Sequence, residues 1–475
     1  MRRTRSRNKY KKYNIVKILI IILGLILISY IGLSIYYIKH FYHGTTINGV
    51  NCTRMTVKKA EDKITKAVRK YNLTFEEKGG TKEQIIGKDI ELVTLFDSDL
   101  GEIKKKQNPF LWPFGFIQKK DFTIKTMLSY NEELLKRYYD NLKCFDENNV
   151  VKPVDAYISE YKKSGYEIIE AEFGNLVQKD KLYELVVKSI NDLNTKINLE
   201  KEECYVQPVY TSKSEALINA VNTMNTYVSS EIKYEFGDAV EVLDGSKISE
   251  WLSVNDEKQV VLNEEKLKEY VDYLGRTYNT FGKTRTLKTS YNQTIQVKGG
   301  DYGWWMNREA EREELKAVIK EGKKTTKKPV YFQEAAHYGD DDVGDTYVEI
   351  NLTAQHLFFY KDGKLVVDSD LVSGNVAKKN QSPTGTFPIL YKKEHATLVG
   401  EDYETPVDFW MPFYENVGMH DATWRSEFGK NIYLTQGSHG CINLPHDKAK
   451  IIFENISKGV AVFCYELPGT ENYNK

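Results

Sequence analysis

The feature that most constrains this chain is an uncharged run of 21 residues, 18–38, made mostly of isoleucine and leucine. A helix of that length is about 31 Å long, enough to cross a hydrocarbon core of roughly 30 Å. A cleaved signal peptide normally has a shorter apolar region, of about 7–15 residues, followed by a small-x-small site. This run instead continues into Ser34-Ile-Tyr-Tyr-Ile-Lys-His, whose side chains are too bulky for that site. The pattern therefore favours an uncleaved transmembrane anchor.

The charges before this run predict its orientation. Residues 1–17 form an arm with eight basic residues and no acidic residue. Because basic residues stay on the cytoplasmic side of a span, we expect residues 40–475 to lie outside the cell. Four tyrosines near the outer end of the span suit the membrane interface: Tyr30, Tyr36, Tyr37 and Tyr42.

The composition excludes several classes of protein. The chain has 475 residues, of which 41% are hydrophobic and 28% charged, as expected for about three globular domains. The 67 basic and 67 acidic residues balance, and without the basic arm 59 basic face 67 acidic residues, a net charge of −8. This balance argues against a nucleic-acid partner, whose phosphates require a basic surface.

The chain has five irregularly spaced cysteines, too few for a disulfide scaffold. An odd number in an exported chain leaves at least one free thiol. We expect Cys441 to be free, and Cys464, in an alternating apolar stretch, to lie in a core. Pairing among Cys52, Cys144 and Cys204 is left open.

Residues 44–320 alternate helical patterns with short strand-like stretches, which predicts two α+β modules, 44–210 and 211–320. One helix is expected after Thr56, a favoured N-cap residue. Apolar residues at helical spacing predict core positions: Ala60, Ile64, Val68, Tyr71, Leu135, Tyr138, Tyr139, Leu142, Leu182, Leu185, Val186, Ile190, Leu193, Leu217, Val221, Met224, Val228, Leu267, Tyr270, Val271 and Leu274. A faint echo between residues 174–186 and 260–271 suggests that the modules are related.

The second module carries a recognisable pattern from Asp238-Ala-Val-Glu-Val-Leu-Asp-Gly-Ser-Lys-Ile to Tyr302-Gly-Trp, with a hairpin pattern over 283–297. It resembles the peptidoglycan-binding domain that often precedes wall-modifying enzymes, and Ile47-Asn-Gly-Val-Asn looks like the entry strand of the same module type. The resemblance implies contact between exposed aromatic residues and glycan strands; a spacer with buried aromatic residues is the alternative. Residues 321–329, rich in lysine and without apolar periodicity, predict a linker.

The last predicted domain, 330–468, holds the candidate catalytic residues. Cys441 lies in Ser438-His-Gly-Cys-Ile-Asn, and His420 lies 21 residues upstream in Met419-His-Asp-Ala-Thr-Trp-Arg. A thiol can attack an amide without a metal when an imidazole takes its proton. Gly440 has no Cβ, so its N–H can approach the reacting carbon and form an oxyanion hole with the N–H of Cys441.

These motifs resemble the signature of the L,D-transpeptidase (YkuD-type) catalytic domain, and the likeness spans about 346–466. It includes Tyr347-Val-Glu-Ile-Asn-Leu, Gln355-His-Leu-Phe-Phe-Tyr-Lys-Asp-Gly-Lys, Ser382-Pro-Thr-Gly-Thr-Phe and Phe409-Trp-Met-Pro-Phe. Residues 357–367 also predict a hairpin with an Asp-Gly turn. The resemblance implies a multidomain chain with an N-terminal transmembrane helix, α+β peptidoglycan-binding-like modules and a C-terminal all-β L,D-transpeptidase sandwich.

The resemblance also implies roles for individual residues. Cys441 would be the nucleophile, His420 the general base and His439 a further residue of the catalytic site. The family orients its base through a backbone carbonyl, here that of Asp421. The residues expected to bind substrate or the oxyanion are Ser438, Gly440, Asn443, Asp421, Trp424, Arg425, Trp410 and Met411. Arg425 could equally hold its loop through an ion pair, and neither a metal nor a cofactor is implied.

The implied reaction joins two peptidoglycan stem peptides by a 3→3 cross-link. The Cys441 thiolate attacks the carbonyl of the third residue of a tetrapeptide stem, releases the terminal D-Ala and leaves a thioester. An amine of a neighbouring stem then resolves this acyl-enzyme. With water as the acceptor, the enzyme would be an L,D-carboxypeptidase. Acylation of Cys441 by carbapenems is expected by analogy.

Other classes of protein fit these residues less well. A zinc site made by His420, His439, Cys441 and His446 would lack any standard ligand spacing. Sortases place an arginine after the cysteine, but residues 442–475 contain none. NlpC-type endopeptidases have the cysteine before the histidine. An inert buried cysteine or a non-catalytic wall-binding protein is the remaining alternative, which a thiol-reactive acylating probe would distinguish.

Overall fold

The fold begins with a long helix, α1 (Arg3–Lys39). In this computed structural model the described residues are 3–97, 99–124, 127–400 and 404–472. Arg2 of the predicted basic arm therefore lies outside the described residues. The part of the helix from Lys12 to Lys39 is long and apolar enough to cross a membrane, a property that signal sequences share.

The chain divides into two units. The first consists of Met1–Tyr157 and Ile168–Ser214, and the second of Ile158–Glu167 and Glu215–Lys475. Residues 158–167 thus belong to the second unit, although they fall inside the predicted first module. The reason is a local contact within that unit, in which the Tyr166 N–H donates to Oδ1 of Asn225 at 2.7 Å.

In the first unit, short helices and strands surround one hydrophobic core. After α1, the helices are α2 (Val57–Arg69), α3 (Asp99–Lys106), α4 (Glu132–Asp140) and α5 (Lys179–Asn191), with 3₁₀ segments at Lys78–Gly80, Gly87–Ile90, Pro109–Phe116 and Lys143–Phe145. The strands up to residue 198 are β1 (Thr45–Ile47), β2 (Val50–Asn51), β3 (Asn72–Glu76), β4 (Lys82–Ile86), β5 (Val93–Thr94), β6 (Lys120–Phe122), β7 (Leu128–Ser129), β8 (Tyr157–Ile158), β9 (Ile168–Ile169) and β10 (Lys196–Asn198).

The helical patterns predicted most of these core positions. Thr56 caps α2 by accepting the Lys59 N–H, and Ala60, Ile64 and Val68 are buried, as expected. The prediction for Tyr138 is wrong, because its side chain is 39% exposed on α4. Its neighbour Tyr139 takes the buried position.

The first half of the second unit repeats the sheet topology of the first unit. Its helices are α6 (Glu215–Val228), α7 (Gly245–Ser249), α8 (Glu264–Tyr278) and α9 (Arg308–Lys320). Its strands are β11 (Glu231–Phe236), β12 (Ala239–Leu243), β13 (Leu252–Val254), β14 (Val260–Leu262), β15 (Arg285–Lys288), β16 (Thr294–Val297), β17 (Trp305–Met306), β18 (Lys324–Lys327) and β19 (Tyr331–Gln333). The sheets β10-β3-β4 and β12-β11-β18 each join a central strand to an antiparallel neighbour and to a later parallel strand. In this topology α9, and not the α8 of the sequence echo, is the counterpart of α5.

The linker predicted at 321–329 is wrong. Residues 324–327 form β18, which pairs in parallel with β11. Nζ of Lys327 contacts the buried Glu311 carboxylate at 3.0 Å. The next strand, β19, pairs with β17 of the same module. The lysine-rich sequence did not predict this strand. β18 is an edge strand with β11 as its neighbour and has no fully buried side chain, so it needs no alternation of apolar and polar residues.

The C-terminal part of the second unit packs two sheets around a common core. Its elements are β20 (Tyr347–Asn351), β21 (His356–Lys361), β22 (Lys364–Asp370), β23 (Gly385–Pro388), β24 (Lys393–Val399), β25 (Glu404–Tyr414), β26 (Val417–Asp421), α10 (Ile432–Gln436), β27 (Ile442–Leu444), α11 (His446–Asn455) and β28 (Ala461–Tyr465). The sheet orders are β22-β21-β20-β28-β23 and β24-β25-β26-β27. Phe359 from the first sheet and Met419 from the second lie in one core cluster. Because α11 adds Ala449 and Ile452 to that core, the domain is β-rich and not all-β.

The five cysteines are all free and buried. The pairing left open for Cys52, Cys144 and Cys204 is therefore not formed in this structure. Burial raises the pKa of the Cys52 thiol to about 11 and that of Cys144 to about 12. Cys464 lies fully buried on β28, as predicted.

Candidate active site

The site is built on adjacent strands of the four-stranded sheet. β26 pairs with β25 so that His420 lies opposite Trp410, and it pairs in parallel with β27 so that His420 lies opposite Asn443. Side chains in register on neighbouring strands share one face of a sheet. The pairing therefore brings the imidazole, the indole and the carboxamide together, with 5.8 Å between the rings of Trp410 and His420.

Both ring nitrogens of His420 are engaged. Nδ1 lies 2.8 Å from the Asp421 carbonyl oxygen, to which it donates, so Nε2 carries the lone pair. Nε2 accepts a hydrogen bond from Nδ2 of Asn443 at 3.0 Å. Burial lowers the pKa of His420, against the opposing effect of the Asp421 carbonyl and carboxylate. The imidazole is therefore a neutral base held in one tautomer.

Cys441 immediately precedes Ile442, the first residue of β27. Its side chain is 8% exposed, and burial raises the pKa of the thiol to about 11. A backbone hydrogen bond from Gly418 acts in the opposite direction. Sγ lies 3.6 Å from the Asn416 carbonyl oxygen, to which the thiol donates. In this state Cys441 is a protonated thiol whose hydrogen points to the backbone.

His420 and Cys441 line the same cavity, whose volume is about 230 Å³. Five other predicted residues also line it: Trp424, Arg425, Ser438, His439 and Asn443. The cavity has three further lining residues that the sequence did not indicate: Leu398, Thr405 and Gly437. Leu398 and Thr405 face each other across β24 and β25, and neither carries a chemical signature that could have identified it.

Within the described residues Arg425 is held by hydrogen bonds, and the ion pair that the sequence left open is not among its contacts there. Its Nε donates to Oδ1 of Asn443 at 2.9 Å, and its Nη2 donates to the Gln436 carbonyl at 2.9 Å. Asn443 therefore connects the guanidinium to the imidazole of His420. Because both ends of the carboxamide are engaged, its orientation is fixed.

The turn before the cysteine depends on Gly440, whose φ is +117°. Its N–H donates to Oγ of Ser438 at 3.0 Å, and the Ser438 hydroxyl donates to the Cys441 carbonyl at 2.6 Å. Ser382, which belongs to a family motif but was not a predicted site residue, donates its hydroxyl to the Gly440 carbonyl at 2.7 Å. The Gly440 N–H predicted for the oxyanion hole is thus engaged within the turn.

Two predicted residues have other surroundings. Met411 was predicted to bind substrate, but it is fully buried in the core between the sheets. This prediction is wrong because successive residues of a strand point to opposite faces, and Trp410 occupies the face shared with His420. The Asp421 carboxylate accepts the N–H groups of Asp408 and Phe409 at 2.9 and 2.8 Å, so this side chain holds the backbone.

The structure gives no support to the zinc alternative. Among the described residues, the metal-ligating side chains close enough to share an ion are Asp408, Asp421 and His446. His446 contacts Asp408 at 2.9 Å and does not line the cavity of Cys441. That set does not include His420 or Cys441. It is therefore not the zinc site that the sequence left open.

Comparison with family models gives two matches, which lie in the second unit except for residues 210–214. The model of the YkuD family, described as the L,D-transpeptidase catalytic domain, matches residues 345–464. A second, described as "Putative peptidoglycan binding domain", matches residues 210–327, which include β18. The comparison with curated proteins found no match.

Solved structures include close sequence relatives. The chain is similar to a cysteine-to-serine mutant of Enterococcus faecium L,D-transpeptidase, with 34% identity over 52% of this chain and 100% of that chain, and a TM-score of 0.42. It is similar to the Ldtfm-avibactam carbamoyl enzyme, with 34% identity over 52% of this chain and 98% of that one, and the same TM-score of 0.42. The ertapenem-acylated catalytic domain of the E. faecium enzyme shares 42% identity, covering 26% of this chain and 97% of its own, with a TM-score of 0.24.

Proposed function

Because the chain belongs to the L,D-transpeptidase family, we propose that it forms 3→3 cross-links between peptidoglycan stem peptides through an acyl-enzyme on Cys441. The observation that carries this proposal is the shared cavity of Cys441 and His420, with the imidazole held in the tautomer of a base. A nucleophile and a base facing one cavity are the minimum that acyl transfer requires.

Activation of the thiol requires two exchanges of hydrogen bonds. The Cys441 hydrogen must turn from the Asn416 carbonyl towards Nε2 of His420, and Nε2 must release the Asn443 amide. We propose that substrate entry drives both exchanges. Since the free thiol and imidazole are both neutral, the proton moves as the sulfur attacks, and no thiolate–imidazolium pair is needed beforehand.

The proposed reaction then proceeds in two steps. The sulfur of Cys441 bonds to the carbonyl carbon of the third stem residue while His420 takes the thiol proton. The tetrahedral intermediate collapses, the bond to the terminal D-Ala breaks, and His420 protonates the departing amine. A second stem then loses a proton from its side-chain amine to His420, attacks the thioester and returns the thiol.

The other residues of the cavity would position these groups. Asn443 and Arg425 would keep the imidazole in place until substrate arrives. The N–H of Cys441 would stabilise the oxyanion, together with that of Gly440 once it leaves Ser438. His439 and the half-exposed Trp424, at the cavity rim, would contact the donor peptide. By analogy with the ertapenem-acylated relative, carbapenems would acylate Cys441.

We further propose that α1 anchors the enzyme with residues 40–475 outside the cell. This is supported by the length and apolarity of the helix and by the basic residues before it. A membrane anchor would keep the catalytic domain close to newly made wall.

The second module would contact glycan strands through an exposed aromatic cluster. Tyr302 and Trp304 are buried and unavailable, but Trp305 is 43% exposed. Its ring lies 4.7 Å from that of Phe281 and 4.9 Å from that of Phe332. Apolar ring faces of this kind suit the faces of sugars, which supports glycan contact over a pure spacer role.

The central test compares Cys441→Ala with Cys464→Ala. Isolated disaccharide-tetrapeptides are incubated with each variant, and D-Ala release and dimers are measured by mass spectrometry. Cys441→Ala should give neither product while keeping its circular dichroism spectrum, whereas Cys464→Ala should give both. Product formed by Cys441→Ala would reject the mechanism. If the unsubstituted chain and Cys464→Ala gave free tripeptide without dimers, the enzyme would be a carboxypeptidase.

A further inference from the structure

An exposed aromatic surface lies beside α1 in the first unit. Residues 109–117 contain no charged residue and include the 3₁₀ segment Pro109–Phe116. Five of their large side chains are between 49% and 80% exposed: Phe110, Leu111, Phe114, Phe116 and Ile117. Exposed apolar residues grouped in this way mark an interaction surface.

This segment packs directly against the predicted span. The Tyr30 hydroxyl donates to the Phe110 carbonyl at 2.6 Å, and the ring of Tyr37 stacks on Trp112 at 5.8 Å. Tyr37 and Tyr42 are 2% and 4% exposed, so the prediction that they face the membrane interface is wrong. They are covered by the 109–117 segment, which takes the outer position instead.

The depth of Tyr30 decides what surrounds the segment. Tyr30 precedes Lys39, the last residue of α1, by nine residues, or about 14 Å along the helix. If the segment stayed in water, only residues 18–29 of the uncharged run would be free to enter the bilayer. Twelve helical residues span about 18 Å, well short of a hydrocarbon core of roughly 30 Å. A full span by α1 therefore carries the segment into the outer leaflet.

The chemistry of the segment agrees with that depth. The exposed side chains of the segment, among them Phe114, Phe116 and Ile117, carry no polar atom that acyl chains would leave without a hydrogen-bond partner. Exposed lysines flank the segment on both sides and suit anionic headgroups: Lys105, Lys106, Lys119 and Lys120.

We infer that residues 109–117 insert into the outer leaflet beside α1, with the acyl chains of the lipids as their partner. This inference rests on the proposed membrane anchoring. The insertion would tie the first unit to the bilayer surface at a second point, so α1 would not be a free tether.

The test uses the full chain in vesicles of phosphatidylglycerol and phosphatidylcholine. A nitroxide label is placed at Phe114→Cys, at Ile28→Cys on α1 and at Val209→Cys, an exposed position of the same unit. Each substituted side chain is more than half exposed, so the label displaces little packing. The native cysteines are buried, and the unsubstituted chain measures any labelling of them. Relaxation by oxygen reports lipid contact, and relaxation by a water-soluble nickel chelate reports water.

The expected result is strong oxygen relaxation and weak nickel relaxation at 114 and 28, with the reverse at 209. A label at 114 in water, while that at 28 is in lipid, would overturn the inference and leave the anchor intact. Water contact at both 114 and 28 would reject the anchor and the inference with it. A label at 114 shielded from both reagents would indicate another protein copy as the partner, and would also overturn it.

Discussion

The side chain of Asn443 donates to Nε2 of His420 at 3.0 Å, on the nitrogen that would accept the proton of Cys441 in the proposed mechanism. The proposed base is therefore occupied before substrate binds. The same carboxamide accepts a hydrogen bond from Arg425 at 2.9 Å, which fixes the direction in which it donates.

Asn443→Asp should reverse this direction and inactivate the base. A carboxylate beside Nε2 accepts an N–H and favours the imidazolium, so the pKa of His420 should rise. We expect kcat/KM at pH 7 to fall about 100-fold, within the usual contribution of a general base. NMR titration of His420 checks the pKa. Asn455→Asp, at the partly buried last residue of α11, is the matched control and should change neither quantity.

The pH dependence of the free enzyme should follow from the lowered pKa of His420. Because the neutral imidazole is the active form, kcat/KM should stay level from pH 8 down to about 6.5, the ordinary pKa of histidine. It should fall only as the pH drops further and the ring is protonated. An acid limb centred clearly above pH 6.5 would contradict the assignment.

The thiol of Cys441 should react slowly with iodoacetamide when no substrate is bound. With a pKa of about 11, only about one molecule in 10⁴ carries a thiolate at pH 7. Alkylation should therefore accelerate about tenfold per pH unit up to pH 10, whereas free cysteine levels off near pH 8.5. Peptide mass spectrometry assigns the modified residue, and a rate that levels off near neutrality would show a preformed thiolate.

Gly440→Ala should impair both folding and catalysis. At a φ of +117° a Cβ is strained, at a cost of about 1–3 kcal/mol, and the Cβ would also meet Val417 at 3.4 Å. Gly459→Ala is the control, since Gly459 also has a positive φ but nothing within 4 Å of a Cβ. Thermal unfolding should show a lower stability for both variants, but only Gly440→Ala should lose muropeptide turnover.

Trp305→Ala should weaken binding to insoluble peptidoglycan and leave turnover of soluble muropeptides unchanged. The loss of one aromatic contact predicts binding about 2- to 10-fold weaker. Cosedimentation with purified wall measures it, with the exposed Tyr273→Ala on α8 as the control. Equal loss of binding and turnover would place Trp305 in a structural role instead.

Local patterns predicted those parts of the fold that depend on near neighbours. The hairpin of β21 and β22 turns at Asp362 and Gly363, both with positive φ, as the Asp-Gly signal predicts. Apolar residues at helical spacing correctly predicted most of the buried positions of the helices. The strand at 324–327 escaped detection because its stability comes from pairing with β11, almost a hundred residues earlier in the chain.

The sequence by itself determined the family of this protein and the groups on which the proposed chemistry depends: a thiol, an imidazole and a glycine at the spacing of the family, preceded by an apolar helix. Such features depend on residue type and on separation along the chain. Only the tertiary structure decided which neighbours each group meets. Strand alternation buried Met411 and gave the face of His420 to Trp410, and strand register brought Asn443 to Nε2. Chain folding also covered Tyr37 with residues 109–117, because burial is set by contacts between segments far apart in sequence.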